Sequence, residues 1–254
     1  MNMEDDWWKP EKLATIEFEQ RTFHKKGGDF GSYSAMLKSD NPKQALLKYH
    51  NELKPKYRTK LVKRLIGPIP IVNILDIGCG VGRTTHSLDK TFITAEVTGV
   101  DISLDAISYA KSKIKSCKFI CASIDPNQKN INEFFSLICA FEFYPFTRTS
   151  EYDTHLCYVK YLVSLLKPNG RLVIWQRWDN PKSLSSNYKR LQVELSDYCF
   201  ESYEMPMKII TQIFPLGYKP RLVLSKLTRK ILTVLRVKKT NISTNYCIII
   251  SKEL

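Results

Sequence analysis

Between residues 71 and 176, short apolar runs alternate with amphipathic stretches, and this restricts the chain to one broad architecture. The pattern predicts strands at Ile71–Ile77, Val97–Ile102, Phe119–Ala122, Ser136–Phe141 and Arg171–Trp175. Helices are predicted at Arg83–Leu88, at Leu104–Ser116 and over about Asp153–Leu166. In the second of these, Ala106, Ile107, Ala110 and Ile114 fall on one side. The third runs into Lys167-Pro168-Asn169-Gly170, which stops a helix and turns the chain. Strands that are apolar throughout need cover on both faces, and parallel neighbours need helical crossovers. The expectation is an α/β domain with a mostly parallel sheet and helices on both sides.

The flanks are read more coarsely. Residues 10–26 and 42–66 have helical spacing, and the glycines of Lys25–Tyr33 make a loop between them. Residues 1–66 are therefore expected to form an N-terminal helical lid, and residues 67–254 the main domain. A polar and aromatic stretch around 177–204 fits no required crossover and is read as an insertion on the acceptor side. Pro206–Phe214 reads as a helix, and Tyr218–Leu224 and Asn245–Lys252 read as the last two strands, giving seven. The basic stretch Thr228–Lys239 lies between those two strands, and no internal repeat is evident.

Composition removes other classes. With 43% hydrophobic residues over 254 positions, the chain can bury a core. The apolar runs Leu65–Ile77 and Tyr246–Ile250 are too short or too interrupted to span a bilayer. Met1–Trp8 carries Glu4, Asp5 and Asp6 and does not read as a secretory signal. The seven cysteines are odd in number and sit mostly in apolar runs, as expected for reduced thiols of a cytoplasmic protein. The net charge of +14 is uneven: residues 205–254 hold ten Lys or Arg against Glu253, and Lys54, Lys56, Arg58, Lys60, Lys63 and Arg64 form a second cluster. Such a field attracts anions, whether nucleic acid, a phosphorylated acceptor or an anionic surface, and solvated basic faces would look the same.

The most informative segment is Leu75-Asp76-Ile77-Gly78-Cys79-Gly80-Val81-Gly82-Arg83. Ligands of open parallel sheets sit beyond the carboxyl ends of the strands, where glycines let the backbone turn and approach closely. A dinucleotide fingerprint would place its third glycine at position 83, which is Arg83. Asp76 would repel a pyrophosphate and suits a ligand bearing an ammonium group. The second strand ends in Asp101, 21 residues after Gly80, about the spacing at which a carboxylate reaches ribose hydroxyls. Ile102 would then lie against a base.

Together, Leu75–Arg83, Asp101, Ser136–Glu142 and Leu165–Ile174 resemble the Rossmann-like (class I) S-adenosylmethionine-dependent methyltransferases of small-molecule type, in register over about residues 70–176. The resemblance implies a seven-stranded, mostly parallel Rossmann-like sheet with the last strand antiparallel. It implies S-adenosylmethionine as cofactor, S-adenosylhomocysteine as product, and no metal. Gly78, Cys79 and Gly80 would pass under the methionine moiety and ribose, Asp76 would anchor the methionine ammonium, and Asp101 would hold the ribose. Ser123 and Ile124 would border the adenine, and Phe141 would lie beside the methionine ammonium. Lys25 and Tyr33 lie in a segment resembling one that folds over the cofactor, with Lys25 or Lys26 meeting the methionine carboxylate.

The acceptor would face Glu142-Phe143-Tyr144-Pro145 at the end of the fourth strand, where the signature of nucleobase amine methylation is missing. Glu142, Tyr144, His155 and His24 are the candidates for a general base, a role needed only when the acceptor carries its proton at neutral pH. Carboxylate and phosphate oxygens need none. The leading reading is therefore methylation of an oxygen on a small anionic acceptor, phosphorylated or linked to a nucleotide or sugar. The alternatives are a tRNA or rRNA methyltransferase using the basic C-terminal region, and a non-catalytic subunit, which the intact glycine run and Asp101 disfavour.

Overall fold

The structure, a computed structural model, describes residues 55–127, 131–177, 183–204, 220, 222–227 and 245–252. It opens with α1 (Pro55–Leu65), β1 (Asn73–Ile77), α2 (Arg83–Thr91), β2 (Glu96–Asp101), α3 (Leu104–Lys113) and β3 (Lys118–Cys121). It continues with β4 (Phe135–Phe141), α4 (Tyr152–Ser164), β5 (Leu166–Arg177), a 3-10 turn at Leu184–Ser186, α5 (Tyr188–Glu194), β6 (Tyr198–Glu204) and β7 (Asn245–Lys252). One seven-stranded sheet has the order β3-β2-β1-β4-β5-β7-β6. β7 runs antiparallel to both of its neighbours, and the other pairs are parallel. The strand order reverses between β1 and β4, and that crevice is where an open sheet of this kind takes its ligand.

Strand parity explains the two cores. Leu75, Ile77, Ile138, Ala140, Leu172, Ile174, Ile248 and Ile250 face α4, meeting Tyr158, Val159 and Leu162. Their neighbours Ile74, Leu137, Cys139, Val173, Trp175, Cys247 and Ile249 face the other way, toward Leu61 and Val62 of α1 and Leu88 of α2. Burial on both faces is why these strands read as unbroken apolar runs. The 3-10 turn and α5 place Leu184 and Leu191 in the first core.

Two expectations are corrected. The sixth strand is Tyr198–Glu204, inside the stretch read as an insertion, and residues 222–227 are helical where the strand Tyr218–Leu224 was expected. Lys226 of that helix lies 3.4 Å from Glu204. The fifth strand is also longer than expected. Leu166 pairs with Phe135 and Arg171 with Leu137, so Lys167–Gly170 bulges out, with Asn169 at φ 61°. The expected turn is present, but within the strand. Of the N-terminal lid, only α1 falls among the described residues, and the helices read at 10–26 and Pro206–Phe214 and the basic stretch Thr228–Lys239 lie outside them.

Candidate active site

The loop after β1 carries three left-handed glycines, Gly78 (φ 69°), Gly80 (φ 52°) and Gly82 (φ 77°). Side chains rarely adopt that conformation, and two of these positions also lack room for one. A Cβ on Gly78 would come 2.9 Å from the Phe143 ring, and one on Gly82 2.7 Å from the Phe119 ring. The loop is anchored below by Gly78 and Cys79, whose N–H groups both donate to the Val100 carbonyl, at 2.8 and 3.1 Å. The Cys79 thiol turns down among Ile107, Ala110 and Phe119, where burial pushes it well above the ordinary thiol range. What Cys79 brings to the cradle is thus backbone shape.

Asp101, at the end of β2, is held from two sides. One carboxylate oxygen accepts the Gly80 N–H at 2.8 Å, and the other accepts the Ser103 N–H at 2.8 Å. Ser103 in turn caps α3, its hydroxyl accepting the Ala106 N–H. Both carboxylate oxygens are thereby held in place. Ile102 is half-buried, Ser123 is half-buried, and the Ile124 side chain packs into the first core, which leaves the backbone of Ile124 for any ligand.

Asp76 shares the parity of Ile74 and therefore lies under α2, where the Thr85 hydroxyl donates to it at 2.7 Å. It is 1% exposed. Burial lifts its carboxyl to about 7; the Thr85 hydrogen bond opposes this, the Asp101 charge adds to it, and Arg58 opposes it. Asp76 therefore takes up a proton on folding. Its contribution to stability is complete below about pH 3.8 and is lost as pH rises through about 7.

Arg58 was counted only as part of a basic cluster, but its guanidinium is buried over the rings of Trp175 (5.0 Å) and Phe141 (5.3 Å). Helical phase was the available signal, since Arg58, Leu61, Val62 and Leu65 share one stripe of α1. The guanidinium thus covers both rings, whose centroids are 6.3 Å apart. Thr85 carried no comparable signal.

The segment after β4, where the sequence placed the acceptor, is held by its own contacts. Glu142 has φ 55°, an uncommon conformation for a residue with a side chain, and its N–H donates to Trp175 O at 2.8 Å. Glu142 and Tyr144 are half-buried, and the Tyr144–Pro145 bond is cis. His155 has no exposed surface, and both of its ring nitrogens are engaged. Nε2 donates to Pro145 O at 3.2 Å, and Nδ1 accepts from the Asn187 side-chain amide at 2.9 Å. Burial holds the ring below the ordinary histidine range, so it is a neutral strut. The Asn187 amide also donates to Ser150 O, and Leu184 N–H donates to Phe146 O, so the stretch after β5 clasps the loop after β4.

The structure thus brings Asp76, Gly78, Gly80, Asp101, Phe141 and Glu142 to one crevice, and sets His155 behind it. His24, Lys25 and Tyr33 lie outside the described residues. Among the described residues no group of three His, Cys, Asp or Glu is placed to hold a metal ion, and no helix is long and apolar enough to cross a membrane.

A glycine cradle under a clamped carboxylate at the switch point of a 3-2-1-4-5-7-6 sheet defines a class I nucleoside-cofactor fold. A family model described as a methyltransferase domain matches residues 71–235, and the chain belongs to that family, the Rossmann-like S-adenosylmethionine-dependent methyltransferases. It is 30% identical over 132 residues to a trans-aconitate 2-methyltransferase of Rhodopseudomonas palustris (strain BisB18), covering 50% of this chain and 46% of the relative. The trans-aconitate 2-methyltransferase of Escherichia coli (strain 55989 / EAEC) is 31% identical over 123 residues, 46% of this chain and 45% of that one. The chain spans just under half the length of these relatives. The plantazolicin methyltransferase BpumL, solved in complex with SAH, shares the fold at TM-score 0.54 and 17% identity, over 94% of this chain and 100% of its own. The StiE O-MT segment does so at TM-score 0.54 and 12% identity, over 87% of this chain and 80% of that one.

Proposed function

We propose that this chain is a cytoplasmic enzyme that transfers the methyl group of S-adenosylmethionine to an oxygen of a small anionic acceptor. The observation that carries the cofactor assignment is the Asp101 carboxylate, pinned by Gly80 and Ser103 beside glycines that leave no room for a side chain. These residues fit the cofactor's nucleoside end: Asp101 for the ribose, and Ile102, Ser123 and the Ile124 backbone for the base. Asp76 and Phe141 serve the methionine end, and Lys25 and Tyr33, outside the described residues, are assigned to the same end. When bound, the cofactor supplies an activated methyl group on sulfur. The protein's part is to hold the acceptor oxygen in line at near-attack distance and to exclude water.

Glu142 and Tyr144 flank the acceptor position. His155 acts at one remove, keeping the Pro145 carbonyl and the loop around it in place. An acceptor oxygen that is already anionic needs no proton removed, which agrees with a buried His155 whose ring nitrogens are both engaged. The relatives' name supports a carboxylate oxygen in particular, since trans-aconitate is a small carboxylate. The test is labelled-methyl transfer against polycarboxylates, sugar phosphates, nucleotides and total RNA. Label in the small anions is expected, undiminished after exhaustive chelation. Label confined to RNA would overturn the acceptor reading, and loss on chelation restored by magnesium would reassign Glu142.

Asp76 gives a separate prediction. An ammonium group placed beside a carboxyl poised near 7 should drive its proton off. Binding of S-adenosylhomocysteine at neutral pH should therefore release a fraction of a proton, read as a dependence of calorimetric heat on buffer ionisation enthalpy. Asp76→Asn should abolish the release. Buffer-independent heat in the unmodified protein would remove Asp76 from the ammonium site.

A further inference from the structure

The two helical layers differ sharply in charge. On α1, α2 and α3 the side chains of Lys56, Lys60, Lys63, Arg64, Lys90, Lys111 and Lys113 are exposed and Arg83 is half-buried, while the acids of these helices are Asp89 and Asp105. On the opposite face, Lys160 lies 3.6 Å from Glu194, and the Arg190 guanidinium stacks 3.5 Å above the Tyr152 ring. Among the described residues, eight exposed or half-buried basic side chains of the first layer face two acids, with Lys90 3.4 Å from Asp89 and Lys63 donating to Thr91 O.

Between α1, α2 and α3 runs a groove of about 560 Å³ lined by Lys56, Lys60, Arg83, Lys90 and Lys113, with Tyr109 among its apolar walls and, among the described residues, no acid lining it. The nearest acid on α2, Asp89, lies 3.4 Å from Lys90. A cavity of this volume admits a nucleobase or a ligand of similar size. The field around it is larger than one small anion would neutralise, because Lys63, Arg64 and Lys111 extend it across the helices. A chain of phosphates would match an extended basic face, and an aromatic wall suits an unstacked base.

We propose that the α1–α2–α3 layer docks a single-stranded nucleic acid, its phosphates on these cations and one base in the groove beside Tyr109. The groove borders the glycine loop through Val81 and Arg83 but includes none of Asp76, Gly78, Gly80 and Asp101, and the proposal concerns docking alone. It does not depend on the acceptor reading, since strand binding and methyl transfer are separate measurements.

The test is fluorescence anisotropy of a labelled oligouridylate of about ten nucleotides, titrated with the full chain across a range of salt. The double variant Lys60→Glu/Lys113→Glu is expected to bind at least about tenfold more weakly and to lower the salt slope by about 1.4, two phosphate contacts at about 0.7 each. Tyr109→Ala should weaken binding with the slope unchanged. Lys160→Glu/Lys189→Glu, on the opposite layer, removes the same charge and should leave strand binding near the unmodified value. Calorimetric binding of S-adenosylhomocysteine by every variant verifies that each is folded. Equal losses in the two double variants would show an effect of net charge only and overturn the proposal. So would tighter binding of a duplex, or of an acidic peptide, than of the strand.

Discussion

Asp101→Ala is expected to weaken S-adenosylhomocysteine binding by about 1.5–3 kcal/mol, the range for hydrogen bonds to a charged group, or roughly ten- to more than a hundredfold in Kd. The carboxylate stands in two kinds of contact, and the variant loses both. It would no longer offer acceptors to a ribose diol. It would also release the N–H groups of Gly80 and Ser103, which tie the glycine loop to the start of α3. Asp101→Asn keeps the size and one carbonyl acceptor, so its loss should be smaller. Calorimetry well below the thermal transition separates the binding effect from loosening of the loop. Unchanged affinity in the alanine variant would end the assignment of this crevice to a nucleoside cofactor.

The largest effect on stability is expected from Phe146→Ala, at about 3–5 kcal/mol. The Phe146 ring is fully buried and sits about 6 Å from the rings of Phe143, His155 and Tyr158, between the loop after β4 and helix α4. The alanine leaves a cavity that these rings, already fixed by other partners, cannot close. Its backbone carbonyl would still accept from Leu184 N–H. Urea unfolding should therefore show a lower midpoint with an unchanged slope. Turnover should fall further than cofactor affinity, because the loop that carries Glu142 and Tyr144 rests on this ring. A loss under about 1 kcal/mol would mean that the pocket collapses around the deletion.

The sheet was legible where a strand carries a continuous apolar run. β1, β2, β3, β4 and β7 lie within a residue or two of the runs that announced them. β6 was not legible because its burial follows neither a continuous nor an alternating pattern. Glu201 and Ser202 are exposed and its other positions are half-buried, so Tyr198–Glu204 shows neither an unbroken apolar run nor clean alternation. The misread Tyr218–Leu224 holds a short apolar run that periodicity alone cannot assign, and Pro220, favourable in the first turn of a helix, was the better guide.

In the site, glycine spacing led directly to the cradle and to Asp101, because those contacts are made by backbone close in sequence or at a fixed strand-to-strand interval. Side-chain partners separated by long stretches were not legible. Asn187 meets His155 across 32 residues, and only the fold brings them together. Arg58 was hidden for a different reason: counting charges in a cluster discards the helical phase that separates an inward arginine from the lysines beside it.

The clasp between the stretch after β5 and the loop after β4 has an evolutionary consequence. Its bonds, from Leu184 to Phe146 and from Asn187 to Ser150 and His155, touch neither the glycine loop nor Asp101. Substitutions in residues 183–204 can therefore alter the support of the loop after β4 while the glycine loop and Asp101 stay as they are. A lineage with this arrangement can vary one side of the sheet's carboxyl end while sparing the other, and directed evolution meant to leave the glycine loop intact should begin with that span.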